Sequence, residues 1–269
     1  MPRRSRASFQ LVILAAFGAL GGCARGITLP SGPGTPFPAY AETFEQATRA
    51  CRGIRTFTAE LALSGHAGSM RLRGRVLAGI AEPASLRLEG VAPFGAPAFI
   101  LVSSPRSTTL LLPREDRVLR DAGPDAILEA LAGIRLSPDD LRAVLTGCVS
   151  AGADPTGGRA YGDEWVAVDL DGGGTAFVRP EGGPRITAAR QGEWSIEYAD
   201  FVNGLPRTVR LRASGPPGGR DTSLGIALSQ VELNTTLDPA AFTVAVPEEA
   251  RPMTIDELRA AGPLGERAR

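Results

Sequence analysis

Three cysteines, one histidine and scattered carboxylates are what the 269-residue chain offers for nucleophilic, metal or acid–base chemistry. His66 lies in Gly65-His66-Ala67-Gly68, a sequence with turn character, which predicts a solvent-exposed imidazole rather than a general base. Asp139 and Asp140 follow Ser137-Pro138 and read as first-turn charges favoured by a helix dipole, not as an acid/base pair. Glu248 and Glu249 fall in a proline-flanked tail segment. No Gly-x-Ser-x-Gly elbow is present, and the glycine runs lack the strand-to-helix setting of a phosphate loop. No His/Cys spacing matches a metal site. The expectation is a protein without catalytic residues, metal or cofactor.

One thiol has a setting that gives it chemistry. Arg3, Arg4 and Arg6 form a positive segment, and Phe9 to Leu20 is apolar apart from Gln10 and Gly18. That length suits the apolar region of a secretory leader and is too short to span a bilayer comfortably. Leu20-Gly21-Gly22-Cys23 follows directly. This resembles the lipobox of bacterial lipoproteins, in which the thiol is diacylated before cleavage and the new amine is acylated afterwards. The resemblance implies that residues 1–22 are a signal peptide and that Cys23 is the lipid-carrying first residue of the mature chain. At roughly 0.8 kcal/mol per buried methylene, two or three acyl chains hold a protein on a membrane essentially permanently. Aspartate after the cysteine commonly retains such proteins in the inner membrane. Ala24 stands there instead, which favours the periplasmic face of the outer membrane.

Formal net charge is zero, no lysine occurs, and the 29 basic residues are arginines spread through the chain without a basic block, so no nucleic-acid surface is expected. With 33 glycines, 22 prolines and few aromatics, the composition fits short strands joined by turns. Ile27 to Pro38 is rich in Pro, Gly, Ser and Thr without periodicity, so residues 23–40 read as a lipidated flexible tether.

Beyond it the elements can be read from periodicity. Ala41 to Cys51 has helical spacing and Gly53 closes it. Phe57, Ala59, Leu61 and Leu63 then alternate with polar or small residues, and Met70, Leu72 and Val76 alternate with Arg71, Arg73 and Arg75. Further strands are predicted over Ser85 to Val91, Ala98 to Ser103, Thr108 to Leu112 and Arg117 to Arg120, giving an antiparallel meander with one apolar face. Two short helices interrupt. Asp125 to Leu131 starts at Pro124 and stops at Gly133; the next opens at the Ser137 cap and stops at Gly147. Alternation returns at Val166 to Leu170, Trp194 to Tyr198, Val209 to Leu211 and Leu224 to Leu228. Asp171-Gly172-Gly173-Gly174 and Ser214 to Gly219 read as hairpin turns. The apolar phase jumps from Leu228 to Val231 and Leu233, which predicts a bulge near Ser229 or Gln230. Thr254 and Glu257 open a last helix within a tail over 251–269.

Helix, about six strands, two helices, about five strands and the closing Leu237-Asp238-Pro239-Ala240-Ala241-Phe242-Thr243-Val244-Ala245-Val246-Pro247 together resemble the LolA/LolB fold of lipoprotein carriers and receptors. The resemblance covers residues 41–250. It implies a mainly β fold, an unclosed, curved, antiparallel half-barrel of about eleven strands with helices covering its concave face. It also implies a function: an apolar cavity that binds the acyl chains of lipids or lipoproteins, with the membrane and a periplasmic LolA-like carrier as partners. The lipobox places the chain nearer LolB, itself an outer-membrane lipoprotein. LolB carries an apolar residue in a Pro-Leu-Gly loop after an early strand that is needed for insertion, and Phe94 in Pro93-Phe94-Gly95 matches that position. Phe94 is either such a membrane-insertion residue or a buried hairpin residue. With Cys23 acylated, Cys51 and Cys148 remain as an even pair in an oxidising compartment. In a LolA-like fold the ends of the helices they follow meet near the barrel mouth, implying a disulfide; two separate buried thiols are the alternative. Likewise the helices either leave a concavity for acyl chains or fill it, and the filled form would act as a structural or assembly platform for protein partners.

Overall fold

A curved sheet with one apolar face needs a covering layer, and this chain supplies it from two helices in its middle together with one near each end. The computed structural model describes residues 26–214, 221–262 and 264–267. Cys23 and the expected leader over 1–22 lie outside the described residues, as does most of the expected turn at Ser214 to Gly219. In chain order the elements are β1 (Thr35–Pro36), α1 (Tyr40–Arg52), β2 (Thr56–Ala67), β3 (Met70–Ala81), β4 (Ser85–Val91), β5 (Ile100–Ser104), β6 (Ser107–Leu112) and β7 (Arg117–Leu119). Two helices follow, α2 (Pro124–Ala132) and α3 (Pro138–Thr146). The second strand run is β8 (Pro155–Tyr161), β9 (Trp165–Leu170), β10 (Thr175–Arg179), β11 (Arg185–Gln191), β12 (Trp194–Ala199), β13 (Thr208–Ala213) and β14 (Thr222–Leu233). The chain ends with β15 (Arg251–Pro252), α4 (Ile255–Ala261) and β16 (Gly265–Arg267).

The strands form one sheet in the order β1-β8-β9-β10-β11-β12-β13-β14-β2-β3-β4-β5-β6-β7-β15, with β16 beside the start of β3. All pairings are antiparallel except β15 with β7. The two meanders join where β14 pairs with β2, and the sheet stays unclosed because β1 and β15 stand at opposite edges. The fold is therefore the expected mainly β, curved, open sheet. The described residues hold sixteen strands rather than about eleven.

Local chemistry sets the boundaries. Ser137 accepts from the Asp140 amide at 3.1 Å, Pro138 occupies the first turn of α3, and Gly147 ends it at φ 92°. The expected bulge is present: Gln230 sits at φ 51° and the β14–β2 register shifts between Ser229 and Glu232. At α4, Thr254 and Glu257 form a capping box. The Thr254 amide, then Arg117 at 2.8 Å, hold the Glu257 carboxyl below the usual carboxylate range. A lowered folded pKa means that this support is present at neutral pH and is lost as pH falls through it.

Two expectations change. The sequence around His66 is not a turn: β2 runs through it to Ala67, and His66 is exposed on the outer face of the sheet. Gly65 is needed within the strand, at φ 134°, because a Cβ there would lie 1.9 Å from the Ser223 carbonyl oxygen. The stretch 27–38, read from composition as a spacer, is packed on the domain, its first residues on the convex face and Phe37 against the main core. Ile27 and Leu29 pack on a cluster of Trp165, Ala167, Phe177 and Ala188, and Thr35 and Pro36 pair with β8.

Candidate functional site

The concave face is continuous and apolar. Phe57, Ala59, Leu61 and Leu63 of β2 point into it, as do Val76 and Ile80 of β3, Leu86 and Leu88 of β4, and Leu224, Ile226 and Leu228 of β14, all buried. Ile127, Leu128 and Leu131 of α2 and Leu141, Val144 and Leu145 of α3 fill the space from inside. A nine-residue helix is too short to persist alone, so α2 and α3 owe their helicity to this burial.

The filling is nearly complete. Between α2 and the strands, a wholly apolar cavity of about 40 Å³ remains, lined by Leu61, Val76, Phe99, Leu128, Leu131 and Ile226 among others. A second cavity of about 210 Å³ lies at the mouth, between Ile134, Leu136, Val144 and Val149 on one side and Trp194, Ile196 and Leu211 on the other. Both fall below the roughly 300–1,000 Å³ of ordinary ligand pockets. The larger grooves, about 480 and 550 Å³, lie on the surface beside α1 and beside the β5–β6 turn, with arginine, serine and acidic residues on their walls. Of the two alternatives for the interior, the structure has the filled one.

The two plugging helices are held in different ways. Among the described residues, the polar side chains of α2 pair only with Arg135, which reaches Asp125 at 3.0 Å and Glu129 at 2.8 Å. Its hold on the sheet is apolar contact alone. Helix α3 is tied down. Arg142, nearly buried, donates to the Ile54 carbonyl and reaches Glu82 at 3.1 Å and Asp139 at 3.4 Å. Directly after α3, Cys148 forms a disulfide with Cys51 at the end of α1, Cα to Cα 5.9 Å. The buried Tyr198 hydroxyl donates to the Cys148 carbonyl at 3.1 Å, and burial pushes its pKa far up, so it stays a donor. Gly133, between the helices, sits at φ 72°, where a Cβ would come 2.6 Å from Ala67 Cβ. Arg142→Met should lower unfolding stability by about 2 kcal/mol, since hydrogen bonds from a charged donor contribute roughly 1.5–3 kcal/mol. Urea denaturation checks this; an unchanged midpoint would leave the Arg142 contacts without net weight.

Phe94 is 88% exposed, so it is not a buried hairpin residue. Its loop is held in place from behind, where Arg114 donates to the carbonyls of Phe94 and of Ala96, the latter at 3.0 Å. Val91 and Leu77, which are also exposed, lie on the adjoining strands.

No protein-family model matches the chain, and no curated protein matches it in sequence. Solved structures do. A LolA superfamily protein from Nitrosomonas europaea superposes with a TM-score of 0.50 at 11% identity, over 78% of this chain and 98% of that one. The fold is LolA-like. A DUF1329 family protein from Desulfovibrio piger matches with a TM-score of 0.47 at 14% identity, over 78% of this chain and 98% of that one. A domain assigned to outer membrane lipoprotein sorting, from Vibrio parahaemolyticus, gives 0.44 at 12% identity, over 75% and 95%. At such identities the likeness speaks for the fold.

Within this LolA-like fold the sequence-derived residues fall into place unevenly. Cys51 and Cys148 meet, and Phe94 projects into solvent. Arg142 and the contrast between α2 and α3 carried no local signal, because each depends on which residues the fold brings alongside.

Proposed function

We propose that the protein is a non-enzymatic lipoprotein of the outer membrane, anchored through Cys23, that takes up acyl chains of lipids or lipoproteins and passes them to the membrane. The observation that carries this is the contrast inside the half-barrel: an apolar interior plugged by one helix held only by apolar contact, next to one fixed by Arg142 and a disulfide. An acyl chain offers the interior the same apolar contact that α2 offers. It can replace α2 without leaving buried polar groups unpaired, whereas displacing α3 would strand the Arg142 guanidinium. Leu128 and Leu131 would vacate the space the chain needs, with Gly133 as the hinge. Cargo would arrive from a periplasmic LolA-like carrier, and Phe94 would enter the bilayer at delivery.

Two measurements test this. Mass spectrometry of the protein isolated from its own membrane should find bound acyl lipid, and a fluorescent fatty-acyl probe should bind the purified protein. Failure of both would leave the second reading, a protein-binding platform, which the small volume of the cavities favours. Phe94→Glu should leave the unfolding midpoint in place. It should slow delivery to vesicles by at least about tenfold, because burying a phenylalanine contributes about 1.5–3 kcal/mol. Unchanged delivery would return Phe94 to an ordinary surface position.

A further inference from the structure

The convex face of the sheet is covered at both flanks by the chain's own ends. Ile27 and Leu29 lie over β9 to β11, and the Pro239–Phe242 turn packs on β4 and β5, where Arg87 donates to the Ala241 and Thr243 carbonyls at 2.8 and 3.1 Å. Between these flanks, β13, β14, β2 and β3 have their convex side open. Register gives its composition. One row across the sheet reads Arg212, Ser223, His66, Arg71, the next Arg210, Gly225, Ser64, Arg73, and the third Thr208, Ala227, Ala62, Arg75. The middle strands supply a floor of small residues and one imidazole. The outer strands supply arginine rims three strand spacings apart, about 14 Å.

Five arginines face two carboxylates within this window. Glu60 pairs with Arg75 at 3.2 Å and Glu197 with Arg212 at 2.5 Å, and Asp200, Asp221 and Glu232 stand at its border. Arg73 and Arg210 have no ion-pair partner among the residues whose side chains are described, although Glu197 holds the register position opposite Arg210. The chain arrives at the same place. Gly26 lies beside the window, where a Cβ would stand 3.6 Å from both Arg212 Nη1 and Glu197 Oε1. Cys23 is three residues earlier, a reach of at most about 11 Å. Phe94 follows the end of β4, next to Arg75 and Val91, at the end of the sheet that also holds Gln191 and Trp194 of the mouth cavity.

We propose that this convex window is the surface on which the domain lies against the phosphate headgroups of the bilayer. The proposal rests on acylation of Cys23. Anchor, arginine rims and Phe94 then meet one membrane plane, with the concave face and its helices on the side away from the bilayer. Arginines attract the anionic surface, the small floor lets headgroups approach the backbone, and the short reach from Cys23 prevents the domain from standing off.

The test uses the full acylated protein in vesicles of phosphatidylethanolamine and phosphatidylglycerol. A fluorophore is placed on Ser64→Cys in the window, or on Arg106→Cys at the far end of the sheet, and is quenched by spin-labelled headgroups. Quenching should be strong at position 64, weak at position 106, and reduced in phosphatidylcholine alone. Each arginine near an anionic surface shifts the balance roughly fivefold, so Arg73→Gln with Arg210→Gln should lower the docked-to-free ratio by about 25-fold. Flotation with the vesicles should not change in that variant. Equal quenching at both positions, or quenching indifferent to lipid charge and to the two substitutions, would overturn the docking surface while flotation kept the anchor. A protein that does not float with vesicles overturns the anchor and the proposal together.

Discussion

Replacing both Cys51 and Cys148 by alanine should lower the free energy of unfolding by about 4–5 kcal/mol. The bond spans 97 residues. In the chain-entropy model a loop of that length restricts the unfolded ensemble by about that amount. The native state should hardly change, because other contacts hold the same junction. Arg142 ties α3 to the Ile54 carbonyl, and Tyr198 holds the Cys148 carbonyl. Both half-cystines are buried, so paired alanines test the bond more cleanly than a reductant does. Most small domains have only about 5–15 kcal/mol in total, so the loss should be visible as a large drop in the urea midpoint with little change in slope. A loss below about 1 kcal/mol would mean that the bond adds little constraint beyond what the sheet already imposes. Because α3 is fixed here and α2 is not, the paired alanines should also weaken the difference between the two helices, detectable as faster hydrogen exchange across α3.

How much of this was legible in the sequence depended on whether one face of an element was wet. β2, β3 and β4 alternate cleanly because their outer side is exposed or polar, and β4 was read with its observed limits. β10 and β11 are buried on both faces under Ile27 and Leu29 and escaped the reading, as strands covered on two sides do, whereas β9, equally covered, still showed Val166, Val168 and Leu170 in alternation. β8 hides for another reason. It contains Gly157-Gly158, which give no apolar alternation, and a Cβ at Gly158 would lie 2.3 Å from Tyr40 Cβ, so glycine there serves close packing against the start of α1. The segment 27–38 misled in the opposite sense: packing through Ile27, Leu29 and Phe37 requires no period, and composition alone reads as a spacer. The helices were legible because their ends are chemical, Ser137 and Pro138 at one end and Gly147 at the other. The candidate site was legible only as an apolar face. That α2 fills it without a polar tie is a tertiary fact, since it depends on what each side chain fails to meet.

A chain secreted behind an ordinary cleavable leader and beginning at Ala24 should leave the membrane fraction after a high-salt wash, while the natural protein stays. The surface itself offers little to retain it. Among the described residues no helix is long and apolar enough to cross a membrane, and the exposed large hydrophobics are Leu77, Val91, Phe94 and Val202. The arginine rims contribute about 1 kcal/mol each at an anionic surface, and salt shortens their reach to about 3 Å at 1 M. Two or more acyl chains on Cys23 act differently, because roughly 0.8 kcal/mol per methylene is insensitive to salt. Salt therefore separates the two contributions: it should release the Ala24 chain and spare the acylated one, and metabolic palmitate label should appear only on a chain that retains Cys23. An Ala24 chain that resists the wash, or a natural mature protein whose mass shows an unmodified first residue, would remove the anchor. Phe94 and the convex arginines would then have to be read as a surface for another protein, since without acyl chains nothing holds them within reach of lipid.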